Sequence, residues 1–192
     1  IKYVVLRDVD NALPLKITSE KDIDLLVLES DYKKLNNLQK EGWVETQHPF
    51  RNSVFLYGFK KFRMFTFSGI PVDFTTKLCV RSLNKGEWMP LDQSIQDTIF
   101  ERSVESSFST SVRTLGPEHE LLHLVSRSIF DKNLFLPSYT ARINELEYVF
   151  NSPIFREMLL TVFFKFTDCL IENLKKRKLE EIYDLYIKFD RY

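Results

Sequence analysis

The run Ile23-Asp24-Leu25-Leu26-Val27-Leu28 is apolar at every position except Asp24. An apolar run of that length suits a strand buried on both faces, so other layers of the chain must cover it on both sides. The second half of the sequence offers them. From Pro117 onward the pattern is helical: about Glu118 to Phe130, Ser138 to Phe150, Pro153 to Lys176 and Leu179 to Phe189. Pro117 and Pro153 stand where a first helical turn tolerates proline.

The first half reads as strands with one helix. Short apolar runs at Tyr3–Leu6, Trp43–Gln47, Ser53–Phe59, Arg63–Phe67 and Ile70–Thr75 predict strands, with turns near Pro49–Asn52 and at Ser68-Gly69. Ser30 is the expected cap of a helix from Asp31 to Glu41, which repeats Tyr32, Leu35 and Leu38 and stops at Gly42. After Pro90 the texture changes. Asp92 to Val104 reads as a helix capped by Asp92, and the serines and threonine from Ser106 to Ser111 read as a polar connector. The expected fold is α+β: a small mixed β-sheet core over residues 1–90, followed by a helical bundle over 91–192 packed on it.

Composition narrows the function classes. The 192 residues are 44% hydrophobic and 28% charged with 17 Phe, a folded composition that excludes a disordered or low-complexity protein. Lys+Arg and Asp+Glu are both 27, so the basic excess of a backbone-gripping nucleic-acid binder is absent and nucleic acid is not an expected partner. No stretch reaches the ~18 apolar residues of a membrane span. The longest apolar cluster, Met158 to Phe166, is broken by Thr161 and Lys165. No signal-peptide pattern is visible, and two cysteines, Cys79 and Cys169, make no disulfide framework, so the expected location is cytoplasmic.

The sharpest local chemistry is Lys21-Asp22-Ile23-Asp24. Side chains alternate along a strand, so Asp22 and Asp24 project together. Two adjacent carboxylates repel each other and resist burial. A divalent cation relieves both costs, and Mg²⁺ (or Mn²⁺) is the ion that takes carboxylate oxygens together with substrate phosphates. Asp73, which interrupts Ile70-Pro71-Val72-Asp73-Phe74, is the candidate third ligand from a neighbouring strand.

From Tyr3 to Leu78 the chain resembles the polymerase-β-like nucleotidyltransferase superfamily. The resemblance rests on Val4-Val5-Leu6-Arg7, the Asp22-Ile23-Asp24-Leu25-Leu26-Val27 strand, the helix with Leu35 and Leu38, Gly42-Trp43, and the later strand with Asp73. The wording around "KDIDLLV" and "GW" is similar to uncharacterised bacterial members of that group. The resemblance implies that Asp22, Asp24 and Asp73 hold the metal ions and that Asp73 helps deprotonate the acceptor. It implies transfer of a nucleoside monophosphate from a nucleoside triphosphate to a hydroxyl or phosphate of a small molecule, a sugar by analogy, or of a protein. One departure stands out. Most active members carry Gly-Ser or Gly-Gly ahead of the Asp pair, where backbone N–H groups cradle phosphates. None of this chain's five glycines precedes Asp22. Arg7 is the candidate substitute, as a guanidinium fork, with Lys16 and Lys21 adding charge. The alternative is a retained fold without transfer, serving as a nucleotide-sensing or interaction module.

A rival from another class is His119-Glu120-Leu121-Leu122-His123. On a helix the two histidines share a face and can hold Zn²⁺ with Glu120 as general base, and Glu145 or Glu147 as third ligand. Pro117 puts this motif in a first helical turn, and Leu121, Leu122, Leu124 and Val125 form an ordinary core stripe. The competing expectation is therefore packing histidines, with His119 and Glu120 at a solvated helix start. Phe155, Leu159, Val162, Phe163, Phe166 and Leu170 form a second stripe, a core face that also suits a homodimer through the C-terminal helices. The basic run Lys175 to Lys178 reads as a solvated helix end.

Overall fold

The computed structural model describes residues 1–7, 22–106 and 109–190. Lys16 and Lys21 lie outside the described residues. The architecture is α+β, as the sequence predicts. Strands β1 (Tyr3–Val5) and β2 (Ile23–Val27) are antiparallel neighbours. A 3₁₀ helix (Glu29–Glu41) follows, then β3 (Val44–Thr46), β4 (Val54–Phe55), β5 (Arg63–Phe67), β6 (Ile70–Thr75), β7 (Cys79–Arg81) and β8 (Glu87–Pro90). Helix α1 (Gln93–Thr98) leads to β9 (Val104–Ser106) and β10 (Ser109–Thr114). The chain then runs through α2 (Pro117–Arg127), α3 (Pro137–Glu145), α4 (Pro153–Phe163), α5 (Thr167–Lys175) and α6 (Leu179–Ile187).

Seven strands form a mixed sheet in the order β3-β5-β6-β2-β1-β10-β9, and β4-β8-β7 form a second, smaller sheet. Strand β2, the apolar run, lies inside the large sheet between β1 and β6 and is covered on both faces. Tyr3, Ile23, Leu25, Val27, Val72 and Phe74 face Leu35 and Leu38 of the 3₁₀ helix. Val4 and Leu26 face the helical bundle, whose core holds Leu121, Phe155, Leu159, Phe163 and Phe166. Each fully buried phenylalanine there contributes roughly 2–3 kcal/mol of burial. Of the Phe155-to-Leu170 stripe, Phe155, Leu159, Phe163, Phe166 and Leu170 are buried in the protein's own core, and Val162 packs half-buried against it.

Local chemistry explains most boundaries. Ser68 and Gly69 both adopt positive φ, 50° and 81°, which is the two-residue turn that matches the twist of β5 and β6. The Asp92 carboxylate accepts the Ser94 N–H at 2.9 Å and caps α1. Gly42, at φ 89°, closes the 3₁₀ helix in the left-handed conformation.

Several expectations need correction. Ser30 caps nothing: the helix begins after Leu28, and Asp31 instead accepts the Lys2 N–H at 2.7 Å, which ties it to β1. The helix expected from Asp92 to Val104 ends at Thr98, because Val104 starts a strand. Ser106 to Ser111 is no simple connector; Ser106 ends β9, and Ser109 begins β10, which pairs with β1 in parallel. The helix expected from Pro153 to Lys176 is broken at Phe164, where φ is 49° and ψ −127°. Among the described residues, no helix is long and apolar enough to cross a membrane.

Candidate functional site

Asp24 in β2 lies directly opposite Asp73 in β6, in parallel register. In-register neighbours in a sheet share a face, and Asp22, two residues before Asp24, shares it too. That face is the one turned toward the helical bundle. One carboxylate oxygen from each of Asp22, Asp24 and Asp73 lies within 4.8 Å of the other two. Asp22 is exposed, whereas Asp24 and Asp73 are half-buried.

Each inner carboxylate has a polar neighbour. The Arg7 guanidinium, just past β1, bonds Asp24 Oδ2 with one terminal nitrogen and the Tyr139 hydroxyl of α3 at 2.8 Å with the other. Both terminal nitrogens of Arg7 are thus engaged within the protein. His48 Nε2 lies 3.4 Å from Asp73 Oδ2. The Phe50 N–H donates to His48 Nδ1 at 3.0 Å, so in the neutral ring Nε2 carries the proton and faces the carboxylate. The His48 ring sits between those of Phe50 and Phe62, with centroids at 5.5 and 5.1 Å. Asp73 Oδ1 is buried and has no hydrogen-bond partner. Burial lifts Asp24 above the ordinary carboxylate range; the Asp22 and Asp73 charges add to the shift, while Arg7 and Arg127 oppose it.

The carboxylates open into a cavity of about 280 Å³ between the sheet and α2. Its remaining walls come from parts of the chain far apart in sequence: Arg81 of β7, Trp88 of β8, His123 and Arg127 of α2, and Asp131 and Lys132 just beyond. Cys79 also lines it, and burial pushes that thiol well above its usual range, which makes it a poor nucleophile. A larger apolar groove of about 610 Å³ lies against the opposite face of the sheet, beside Tyr3, Leu25, Trp43 and Phe74, and shares none of the three carboxylates.

The His-Glu-x-x-His residues have separate occupations. His119 Nε2 is 3.0 Å from Thr98 Oγ1 and 3.2 Å from the Ile95 carbonyl, both of α1. Arg142 grips Glu120 through two 2.8 Å bonds and donates a third to Glu145. The expectation that His119 and Glu120 sit at a solvated helix start is overturned: His119 is 0% and Glu120 7% exposed. Thr98 and Ile95 of α1 cover His119, and Arg142 of α3 covers Glu120, so the first turn of α2 is not solvated. His123 is 2% exposed, lines the carboxylate cavity, and neither ring nitrogen has a partner.

Burial holds the His123 imidazole neutral, with its pKa well below 6.5, and the charges of Arg127 and Arg7 push the same way. In the unfolded chain a histidine titrates near ~6.5. Below that pH the unfolded state takes up a proton that the folded state refuses, so stability falls as pH falls. The expected loss approaches about 1.4 kcal/mol per pH unit for this one group. Urea unfolding at pH 7.5 and 5.5 checks it: the wild type should lose more stability than His123→Gln. Equal losses would mean that His123 is protonated in the folded state.

Sequence reasoning named the three aspartates and Arg7, which the structure brings to one cavity. It missed His48, Arg81, Arg127, Asp131 and Tyr139. The one available signal was the four-residue spacing His119, His123, Arg127, Asp131, a polar stripe on one helical face amid leucines. No known family model, curated protein or solved structure matches the chain.

Proposed function

We propose that this chain is a metal-dependent nucleotidyltransferase, which moves a nucleoside monophosphate from a nucleoside triphosphate to a hydroxyl or phosphate acceptor. The observation that carries the reading is the in-register pairing of Asp24 with Asp73, with Asp22 on the same face. The donor set fits Mg²⁺ or Mn²⁺: three carboxylates are within reach of one another, and Asp73 Oδ1 is buried with no partner of its own. A bound divalent pair supplies charge neutralisation at the α-phosphate and activation of the attacking oxygen.

The chain's own residues have definite tasks in this reading. Arg7 holds the Asp24 carboxylate in place against the repulsion of Asp22 and Asp73. His48 stands with its Nε2 edge 3.4 Å from Asp73 Oδ2, a polar neighbour to that carboxylate. Asp73 accepts the proton of the acceptor hydroxyl as that oxygen forms its bond to the α-phosphorus. The bond between the α-phosphorus and its bridging oxygen breaks, and pyrophosphate leaves. Acceptors of the class expected by analogy, sugars and other small hydroxyl compounds, need only reach this face of β2 and β6.

The test is calorimetric titration of the four nucleoside triphosphates with Mg²⁺ on the wild type and on Asp24→Asn. Binding of one nucleotide is expected, dependent on Mg²⁺ and weakened roughly 100-fold or more in the variant, in line with loss of a charged ligand. Failure of all four to bind would overturn the proposal. A second reading, nucleotide binding without transfer, is favoured by one observation: Arg7 already occupies Asp24 Oδ2. Mg²⁺-dependent binding with no pyrophosphate released in the presence of any acceptor would select it.

A further inference from the structure

Across the cavity from the three carboxylates stands a wall of opposite character. Arg81 carries its guanidinium over the faces of Phe50 and Trp88, at 5.2 and 5.4 Å. Lys132 lines the same wall, and neither cation has a carboxylate partner among the described residues. Arg127 is ion-paired with Asp131, its Nε 3.5 Å from Asp131 Oδ2, too long for a good hydrogen bond, and that Nε has no hydrogen-bond partner. Asp131 Oδ1 accepts the backbone N–H of Arg81 at 2.8 Å, while its buried Oδ2 has no hydrogen-bond partner; among the described residues it is the carboxylate of this wall. Among the described residues, three cations against one carboxylate leave this wall an excess of positive charge.

Between these groups His123 presents two bare ring nitrogens while only 2% exposed. A buried imidazole with neither nitrogen satisfied is costly unless something in the cavity bonds to it. The backbone is shaped for the same purpose. Helix α2 ends in a π-type turn (Ser128–Lys132), a wider coil that is frequent at functional sites, and it closes with Asn133 at φ 58°. That turn carries Asp131 and Lys132 to the cavity that His123 and Arg127 already line.

We propose that Arg81, Arg127, Lys132 and His123 form a seat for a diphosphate group, taken as the β,γ-phosphates of a nucleotide and as free pyrophosphate. This rests on the nucleotidyltransferase reading for its place in the reaction, but it stands on separate residues. It accounts for the missing glycine pair ahead of Asp22: the phosphates are held by side chains from β7 and the end of α2, not by backbone N–H groups of a helix start. Arg127 and Arg81 offer planar forks that match phosphate oxygens, Lys132 a point charge, and neutral His123 one N–H donor. The carboxylate wall repels the same anion, so the diphosphate is confined to the basic side.

The probe is inorganic pyrophosphate, titrated calorimetrically at low salt in EDTA, so that no divalent ion bridges it to the aspartates. Wild-type protein is expected to bind it. Arg81→Gln and Lys132→Gln, both at accessible positions, should each weaken binding roughly tenfold, and the double variant more. Asp24→Asn should bind it as well as wild type or better. Thermal melts confirm that the variants fold. No binding to wild type, or equal binding to the Gln variants, overturns the seat. The two readings fail separately. Mg²⁺-dependent nucleotide binding that needs Asp24 but ignores Arg81 and Lys132 sinks only the seat. Pyrophosphate binding that needs Arg81 and Lys132, with nucleotide binding indifferent to Asp24, supports the seat and sinks only the metal reading.

Discussion

On the proposed nucleotidyltransferase reading, Asp73→Asn is expected to slow transfer by roughly 10³-fold or more while leaving the melting temperature within a few degrees of wild type. The substitution removes the negative charge and the proton acceptor together. An isosteric amide fits beside His48 Nε2, which lies 3.4 Å from Asp73 Oδ2, so the packing of His48 between Phe50 and Phe62 is kept. Removing one of three clustered carboxylates also relieves their mutual repulsion. A second readout separates chemistry from folding. On the proposed metal reading, Mg²⁺ that binds only the folded state adds stability by mass action, about 1.4 kcal/mol at tenfold excess over its dissociation constant, and so raises the wild-type melting temperature. The variant should show little of that rise. Transfer retained at wild-type rate by Asp73→Asn would remove Asp73 from the mechanism.

Gly116→Ala should cost about 2–3 kcal/mol, the upper range for overpacking, and lower the melting temperature by about 5–10 °C. The reason is not backbone conformation, since Gly116 has φ −63° and ψ 155°, open to any residue. The reason is space. A Cβ at this position would stand 2.2 Å from the Arg102 carbonyl oxygen and 3.2 Å from its carbon. Both obstacles are backbone and cannot swing aside, so β10 and α2 would have to move off the turn after α1. Helix α2 carries His123 and Arg127, so the same variant should also weaken pyrophosphate binding. Denaturant unfolding measures the first effect. A melting temperature equal to wild type would mean that the approach at Arg102 relaxes at no cost.

The strands that build the carboxylate site were legible because their signals are local. The alternation around Asp22 and Asp24, the Ser68-Gly69 turn, and the apolar runs of β5 and β6 each need only a few neighbouring residues. What failed needed distant partners. Strand β7 has three residues and β8 four, too short to show a period. Serines and threonines in β9 and β10 satisfy a sheet as well as a loop, and only β1 decides between them. Phe164 breaks the long apolar pattern without glycine or proline, so no residue announced it. In the site, His48 lies in a loop, where sequence spacing says nothing of what faces it. The polar stripe of α2 was visible, but its direction depends on the helix lying over β2.

The sheet order has a consequence for how the molecule assembles in time. Strand β2 pairs on one side with β6 and on the other with β1, and β1 finds its outer neighbour only in β10, with Val5 opposite Thr114. Closing so long a loop is slow, and long-range parallel pairing is among the slower steps of folding. As the chain emerges from its N-terminus, β1, β2, β5 and β6 can associate while β10 and all of α2 are still to come. Until then β1 is a bare edge, open to pairing with the wrong partner. The two walls of the cavity therefore belong to different moments: the aspartates and Arg81 are made early, and His123, Arg127 and Lys132 join them only once α2 has formed.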